Sequence, residues 1–299
     1  MKFGLHKMTW GEYFNPDDLD SFFDEAHSAG AETIEFRLPQ TAMDMNRQEI
    51  DHIKKLSEKY KLEMLFSFAY PAGIDMRDPD PMVRKQAVEY LKKGILAARE
   101  LGGHEIGGVL YSSWPTNYEN DMITKQERDE RAQRSLDCIK EVIPTAEECQ
   151  VTLNLEILNR YENYVLNTVE QGVTFCRTID SDYCKLLLDV YHMNIEEDDI
   201  CQAIRSAGNY IGHFHVSEPN RGIPHHTKRI AWDAIGESLR STGYNGTVTI
   251  EAVVSFDGVS TYNMRMWRDL MTDKSKEARI NAMRDGLEYI RGKFKVSDF

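Results

Sequence analysis

Four short apolar segments each end on a side chain able to ligate a metal or carry a proton. They are Glu156 in Leu-Asn-Leu-Glu, Asp189 in Leu-Leu-Leu-Asp, His215 in Gly-His-Phe-His and Glu251 in Val-Thr-Ile-Glu. Their separations of 33, 26 and 36 residues each match one strand plus one crossover helix. If these strands are parallel neighbours, three carboxylates and an imidazole meet at one rim. Left unpaired in an apolar setting they would repel strongly, and a divalent cation removes that repulsion while giving each a partner. Two Glu, one Asp and one His form a mostly hard-oxygen donor set, which favours Mn²⁺ first, with Mg²⁺ or Co²⁺ as substitutes. Singly, each could be satisfied by a helix N-terminus or a loop amide; the four together carry the argument. His213 faces the same side as His215 but deeper, and reads as a hydrogen-bonded core histidine rather than a ligand.

The elements that must position these residues follow from hydrophobic period and from caps. Short apolar runs predict strands at 2–10, 33–36, 62–67, 105–110, 151–156, 185–189, 211–216 and 247–251. Helical period predicts helices at 15–29, 46–60, 125–149, 168–179, 200–207, 232–242 and 274–293. A further helix starts at the Asp80-Pro81 cap and ends at Gly102-Gly103, with Val83, Ala87, Val88, Leu91, Ile95 and Ala98 stacked on one face. Eight strands, each followed by a helix, suit a closed (β/α)8 TIM barrel forming a single catalytic domain over residues 1–299, in preference to a doubly wound open sheet. Neither a Gly-x-Gly-x-x-Gly turn nor a Gly-Lys-Ser/Thr phosphate loop is present, so no nucleotide cofactor is expected.

Composition narrows the partners. Thirty-six basic against 49 acidic residues leave a net charge of −13, which disfavours nucleic acid and anionic membrane surfaces. There is no secretory-type apolar leader and no run long enough to span a bilayer, so a cytoplasmic protein is expected. Five cysteines, an odd number without a Cys-x-x-Cys pair, read as reduced thiols.

Three strings carry a resemblance over nearly the whole chain: Leu-Asn-Leu-Glu-Ile-Leu-Asn-Arg-Tyr-Glu (153–162), Leu-Asp-Val-Tyr-His-Met-Asn-Ile-Glu-Glu (188–197) and His-Val-Ser-Glu-Pro-Asn-Arg-Gly (215–222), with Ile-Glu at 250–251. With them the sequence resembles the ketose 3-epimerases that act on D-tagatose, D-psicose (allulose) and L-ribulose. The resemblance implies that Glu156, Asp189, His215 and Glu251 are the metal ligands and that Glu156 and Glu251 are also catalytic. One glutamate would take the C3 proton of an open-chain ketose to leave a cis-enediolate, and the other would return a proton from the far side. It further implies that Glu162, His192 and Arg221 bind the O1/O2 end of the sugar, that Trp114 walls the pocket, and that Glu35 and Ser67 line it. A homodimer or homotetramer acting on a small sugar is implied in the same way.

Two departures bear on the substrate. His6 stands where many members have an aromatic residue and is closer to the L-ribulose branch, where it would contact the variable tail of the ketose. After Arg221 the loop reads Gly-Ile-Pro-His-His-Thr-Lys-Arg, longer and more basic than usual. His225, His226, Lys228 and Arg229 form either a solvated loop or subunit contact, or a site for an anionic sugar. The same barrel also supports aldose–ketose isomerases and lyases acting on modified sugars. A metal-dependent nuclease would need more histidines and a basic groove, and a silent sugar-binding module would not need two glutamates at one metal.

Overall fold

The strands are apolar on both faces because both faces are buried, one against the barrel interior and one under helices. The computed structural model describes residues 1–10, 18–116, 123–225, 227, 229–256 and 258–294. Eight parallel strands close in chain order: β1 (Lys2–His6), β2 (Thr33–Arg37), β3 (Glu63–Phe68), β4 (Glu105–Gly108), β5 (Thr152–Glu156), β6 (Cys184–Asp189), β7 (Ile211–Val216) and β8 (Thr247–Ile250). Closure is made by β1 on β8, with Lys2 to Leu5 in register with Thr247 to Ile250. The expected TIM barrel is therefore the fold, and all eight carboxyl ends of its strands face one rim.

The outer layer comprises α1 (Leu19–Ser28), α2 (Gln40–Met43), α3 (Arg47–Tyr60), α4 (Pro81–Leu101), α5 (Lys125–Cys149), α6 (Val169–Ile179), α7 (Val190–Glu196), α8 (Ile200–Ala207), α9 (Trp232–Ser241), α10 (Gly258–Asn263) and α11 (Lys276–Phe294). Local chemistry sets their ends. Asp80 accepts from the Met82 N–H with Pro81 in the first turn of α4, and Gly102 closes that helix at φ 89°. Thr124 with Glu127, and Thr168 with Gln171, form reciprocal capping boxes on α5 and α6. The ring of helices closes where Arg279 on α11 donates to the buried carboxylate of Glu25 on α1, at 3.0 Å. Among the described residues no helix is long and apolar enough to cross a membrane.

Several expectations are corrected. The strand expected at 2–10 stops at His6, whose Nδ1 accepts from the Met8 N–H at 3.0 Å and turns the backbone into a 3₁₀ turn, Lys7–Trp10. The strand expected at 105–110 ends at Gly108, whose φ of 114° leaves extended geometry. Described α1 begins at Leu19 under an Asp18 cap, and residues 15–17 of the helix expected at 15–29 lie outside the described residues. α2, α7 and α10, of 4, 7 and 6 residues, were not expected because helical period does not emerge over so few positions.

One irregularity matters for the site. On β7, Ile211 pairs with Leu186 and His213 with Leu187, so Gly212 is the extra residue of a bulge. A Cβ at Gly212 would lie 1.9 Å from Asn154 Oδ1 and 2.6 Å from Lys185 Cβ, so only glycine fits. We expect Gly212→Ala to lower stability by about 1–3 kcal/mol through overpacking, read as a lower urea midpoint. An unchanged midpoint would show that the interior yields there.

Candidate metal centre

Glu156 and Asp189 are the last residues of β5 and β6, His215 is the penultimate residue of β7, and Glu251 follows β8 directly. Asp189 and His215 are register partners across β6 and β7. The Glu251 N–H donates to the Val216 carbonyl at 3.2 Å, which holds that residue at the rim after its strand has ended. One donor atom from each of the four lies within 4.8 Å of the other three. Asp189, His215 and Glu251 are buried, and Glu156 is partly buried.

Arg221 joins this group from the β7–α9 loop. Its Nη1 donates to Asp189 Oδ2 and lies 3.0 Å from Glu251 Oε2, while its guanidinium stacks 4.1 Å from the centre of the Tyr191 ring. The backbone of Arg221 is left-handed, at φ 59°, and the Val253 N–H donates to its carbonyl. A non-glycine residue in that conformation is held there by its surroundings, here by the buried ion pairs of its side chain.

His192 is supplied by α7, which Asp189 caps by accepting from the Tyr191 N–H at 2.8 Å. Its Nδ1 accepts from the Asn159 backbone N–H at 3.2 Å. Its Nε2 lies 3.1 Å from Arg221 Nη2 and 3.4 Å from Glu156 Oε1, so this nitrogen stands between a donor and an acceptor at the rim. Asn159 also donates through Nδ2 to Glu162 Oε1 at 2.9 Å, and Trp114 Nε1 donates to Glu162 Oε2 at 3.0 Å. Glu162 thereby ties the β4 loop carrying Trp114 to the β5 loop.

On the other side of the rim, His6 Nε2 lies 3.3 Å from Ser67 Oγ, and His6 Nδ1 lies 3.9 Å from Glu251 Oε1. Burial pushes the His6 pKa down further than the facing carboxylates Glu35 and Glu251 push it up, which favours the neutral ring. Glu35 lies beneath the rim, 1% exposed, with Oε2 at 2.9 Å from His213 Nε2 and 2.8 Å from His215 Nε2. His213 is thus hydrogen-bonded in the interior, and Glu35 supports the site from below.

Five carboxylates therefore converge here: Glu35, Glu156, Glu162, Asp189 and Glu251. Burial drives the Glu156 carboxyl up, and nearby Glu251 adds to that. Burial also opposes ionisation of Glu251, but Arg221 and His215 outweigh it and hold that carboxyl well below its usual range. His215, with a carboxylate at each ring nitrogen, is raised well above the ordinary histidine value despite its burial. Arg221 with the two imidazoles whose pKa is raised, His192 and His215, does not balance five carboxylates, and a divalent cation fits both the charge and the donor set. Glu156, Asp189, His215 and Glu251 are the residues able to hold it.

The basic loop is organised by an acid that the sequence did not single out. Buried Glu218 accepts from Thr227 Oγ1 at 2.6 Å, Trp232 Nε1 at 3.2 Å and the His225 N–H at 3.2 Å. His225 and Arg229 are exposed, and His226 and Lys228 lie outside the described residues. Sequence reasoning also missed Asn159, whose signal was its place three residues before Glu162, and the ion pair of half-buried Asp75 with buried Arg77. Arg77 donates to Asp75 Oδ2 at 2.6 Å, to Ser113 Oγ at 3.0 Å and to Thr116 Oγ1 at 3.1 Å, gripping the loop on both sides of Trp114.

A family model described as xylose isomerase-like TIM barrel matches residues 23–288. The chain is 34% identical over 295 residues to the D-psicose 3-epimerase of Ruminiclostridium cellulolyticum, covering 96% of this chain and 98% of that one. It is 31% identical over 280 residues to the L-ribulose 3-epimerase of Mesorhizobium japonicum, covering 93% and 91%. Among solved structures it is similar to a D-psicose 3-epimerase with D-tagatose from Clostridium cellulolyticum, with a TM-score of 0.92, 32% identity and coverage of 99% and 100%.

The Asp75–Arg77 pair generates a stability prediction. Asp75→Asn leaves a buried guanidinium short of its charge partner and should cost roughly 3 kcal/mol at pH 7 in urea unfolding. Burial pushes the Asp75 carboxyl up, but Arg77 and Ser113 outweigh it and hold it below the ordinary value. Its contribution is then full above the unfolded carboxylate pKa and is lost as pH falls through the lower folded value. The gap between wild type and D75N should shrink in acid, and a gap independent of pH would refute the ion-pair account.

Proposed function

The chain belongs to the ketose 3-epimerases of the xylose isomerase-like TIM barrel family, and on that premise we propose that it inverts C3 of a free ketose such as D-psicose, D-tagatose, D-fructose or L-ribulose. The observation that carries this reading is that two glutamates, from the opposite flanks β5 and β8 of the ligand set, stand within one donor cluster. Binding alone needs one such carboxylate; inversion needs a proton acceptor on each face of the carbon. Glu156 and Glu251 exchange the roles of base and acid between the two directions of the reaction. When bound, a divalent cation held by Glu156, Asp189, His215 and Glu251 supplies a Lewis acid that makes the C3 proton removable; manganese is our first choice for this oxygen-rich set.

The other residues bind and orient. Arg221 presents its guanidinium, with His192 Nε2 beside it at 3.1 Å, toward the space next to Glu156 and Asp189, where the O1/O2 end of the sugar would lie. Glu162 fixes the Trp114 indole, and that ring walls the pocket. His6 and Ser67 stand at the ends of β1 and β3, where the tail of the ketose would reach. The chain is an isomerase acting on carbohydrate, and by the family resemblance we take it as a cytoplasmic homodimer or homotetramer.

Proton NMR of free ketoses in D₂O with manganese-loaded protein tests the reading. Deuterium at C3 together with new epimer signals is expected, and exchange at C1 or C2 would replace it with an aldose–ketose isomerase. No exchange on any free ketose, with turnover of an anionic sugar, would move the substrate class to modified sugars. Glu156→Gln and Glu251→Gln should each lose at least about a hundredfold in kcat while retaining sugar binding. Chelation should abolish turnover and added Mn²⁺ restore it; full activity in either variant would overturn the assignment.

A further inference from the structure

We propose that Glu35 is the positioning residue of the metal centre: with His213 as its brace, it holds His215 by Nε2 so that Nδ1 is the nitrogen offered to the cation. This rests on the ligand set proposed above and adds a residue from the opposite side of the barrel.

The geometry is specific. Glu35 lies on β2 and His213 and His215 on β7, so the carboxylate crosses the barrel interior to reach them. A single oxygen, Oε2, faces His213 Nε2 at 2.9 Å and His215 Nε2 at 2.8 Å. A carboxylate only accepts, so both imidazoles must donate through Nε2. His215 then turns Nδ1 toward Glu251 Oε2, at 3.1 Å, on the side where Glu156 and Asp189 stand. The two rings meet edge to face, 4.7 Å apart at 84°, so His213 also fixes the plane of its neighbour. Among the described residues His213 Nδ1 has no hydrogen-bond partner, and the bond to Glu35 is what orients that ring. Gly107 flanks the crossing, where a Cβ would be in ordinary contact with Glu35 Oε1 at 3.8 Å and would press on Leu187 Cδ1 at 2.9 Å.

Glu35, His213 and His215 could also be read as a second, deeper metal site, because their donor atoms cluster as well. Both contacts of Glu35 Oε2 have hydrogen-bond lengths, and a ligating histidine ordinarily donates its other nitrogen to a carboxylate. The supporting role accounts for all three residues with one cation.

Titration calorimetry with Mn²⁺ on the chelator-stripped full chain gives the test. Glutamine at position 35 keeps the shape and an accepting oxygen but removes the charge that strengthens both bonds, so each ring donates to a weaker acceptor. Glu35→Gln should weaken Mn²⁺ binding about ten- to a hundredfold at unchanged stoichiometry. Its KM for the ketose should return to the wild-type value once Mn²⁺ saturates the variant, a split that a packing defect would not produce. His213→Phe, which keeps a ring in the interior, should weaken Mn²⁺ binding less than Glu35→Gln does, and carries the test if the first variant does not fold. Wild-type affinity in both variants overturns the proposal, as does binding of two Mn²⁺ per chain with one lost in Glu35→Gln. Asp189→Asn separates the two readings: loss of Mn²⁺ binding there with no change in Glu35→Gln rejects only the role of Glu35, whereas unchanged binding in Asp189→Asn rejects the ligand set itself.

Discussion

Like charge held at close quarters in a medium of low polarisability is the constraint from which the rest of this barrel follows. Glu156, Asp189 and Glu251 bring donor atoms within 4.8 Å of one another, and Glu35 and Glu162 stand directly behind them. Ionised and alone, such a group would not stay buried. Arg221 answers part of it by lying against Asp189 and Glu251 at once. The side chain does so from a left-handed backbone position that no ordinary loop would select for an arginine. The geometry of the loop and the charge of the site are thus one requirement seen from two ends.

The scaffold meets that requirement by being short and rigid. Strands of four to six residues end abruptly, so a carboxylate at the last position projects into the rim instead of running on along a sheet. Aspartate 189 does double duty, ending β6 and capping α7, so His192 follows within one turn of helix. The bulge at Gly212 gives β7 the local twist with which it presents two histidines to the interior. Each device is small, and each sets a direction that a side chain at the rim could not choose for itself.

Much of this was legible from residues alone, for a definite reason. Strand-end acids at one-unit spacing survive any uncertainty of a residue or two in element boundaries, so Glu156, Asp189, His215 and Glu251 could be brought together from sequence. Capping chemistry is equally local, and Asp80-Pro81 marks a helix start that the structure retains. What stayed hidden depends on contacts across the barrel. That Glu35 would spend its carboxylate on two histidines 178 and 180 residues away, or that Asp75 and Arg77 would clasp the Trp114 loop, has no signature in spacing. The strand expected at 2–10 failed because one imidazole captured a backbone N–H two residues on, a competition that propensity does not see.

The crossing of Glu35 divides the molecule in an instructive way. The proposed ligands all come from β5 to β8, whereas His6, Ser67 and Trp114 hang on the ends of β1, β3 and β4. On the proposed assignment chemistry and choice of substrate occupy different halves of one closed sheet, and half-barrel recombination would exchange the second without touching the first. Glu35 is the stitch through that seam. A foreign amino-terminal half would fit the carboxyl-terminal half as a working unit only if it brought an acid of the same length to the middle of its second strand, which makes this one buried position a compatibility requirement between modules that are otherwise free to diverge.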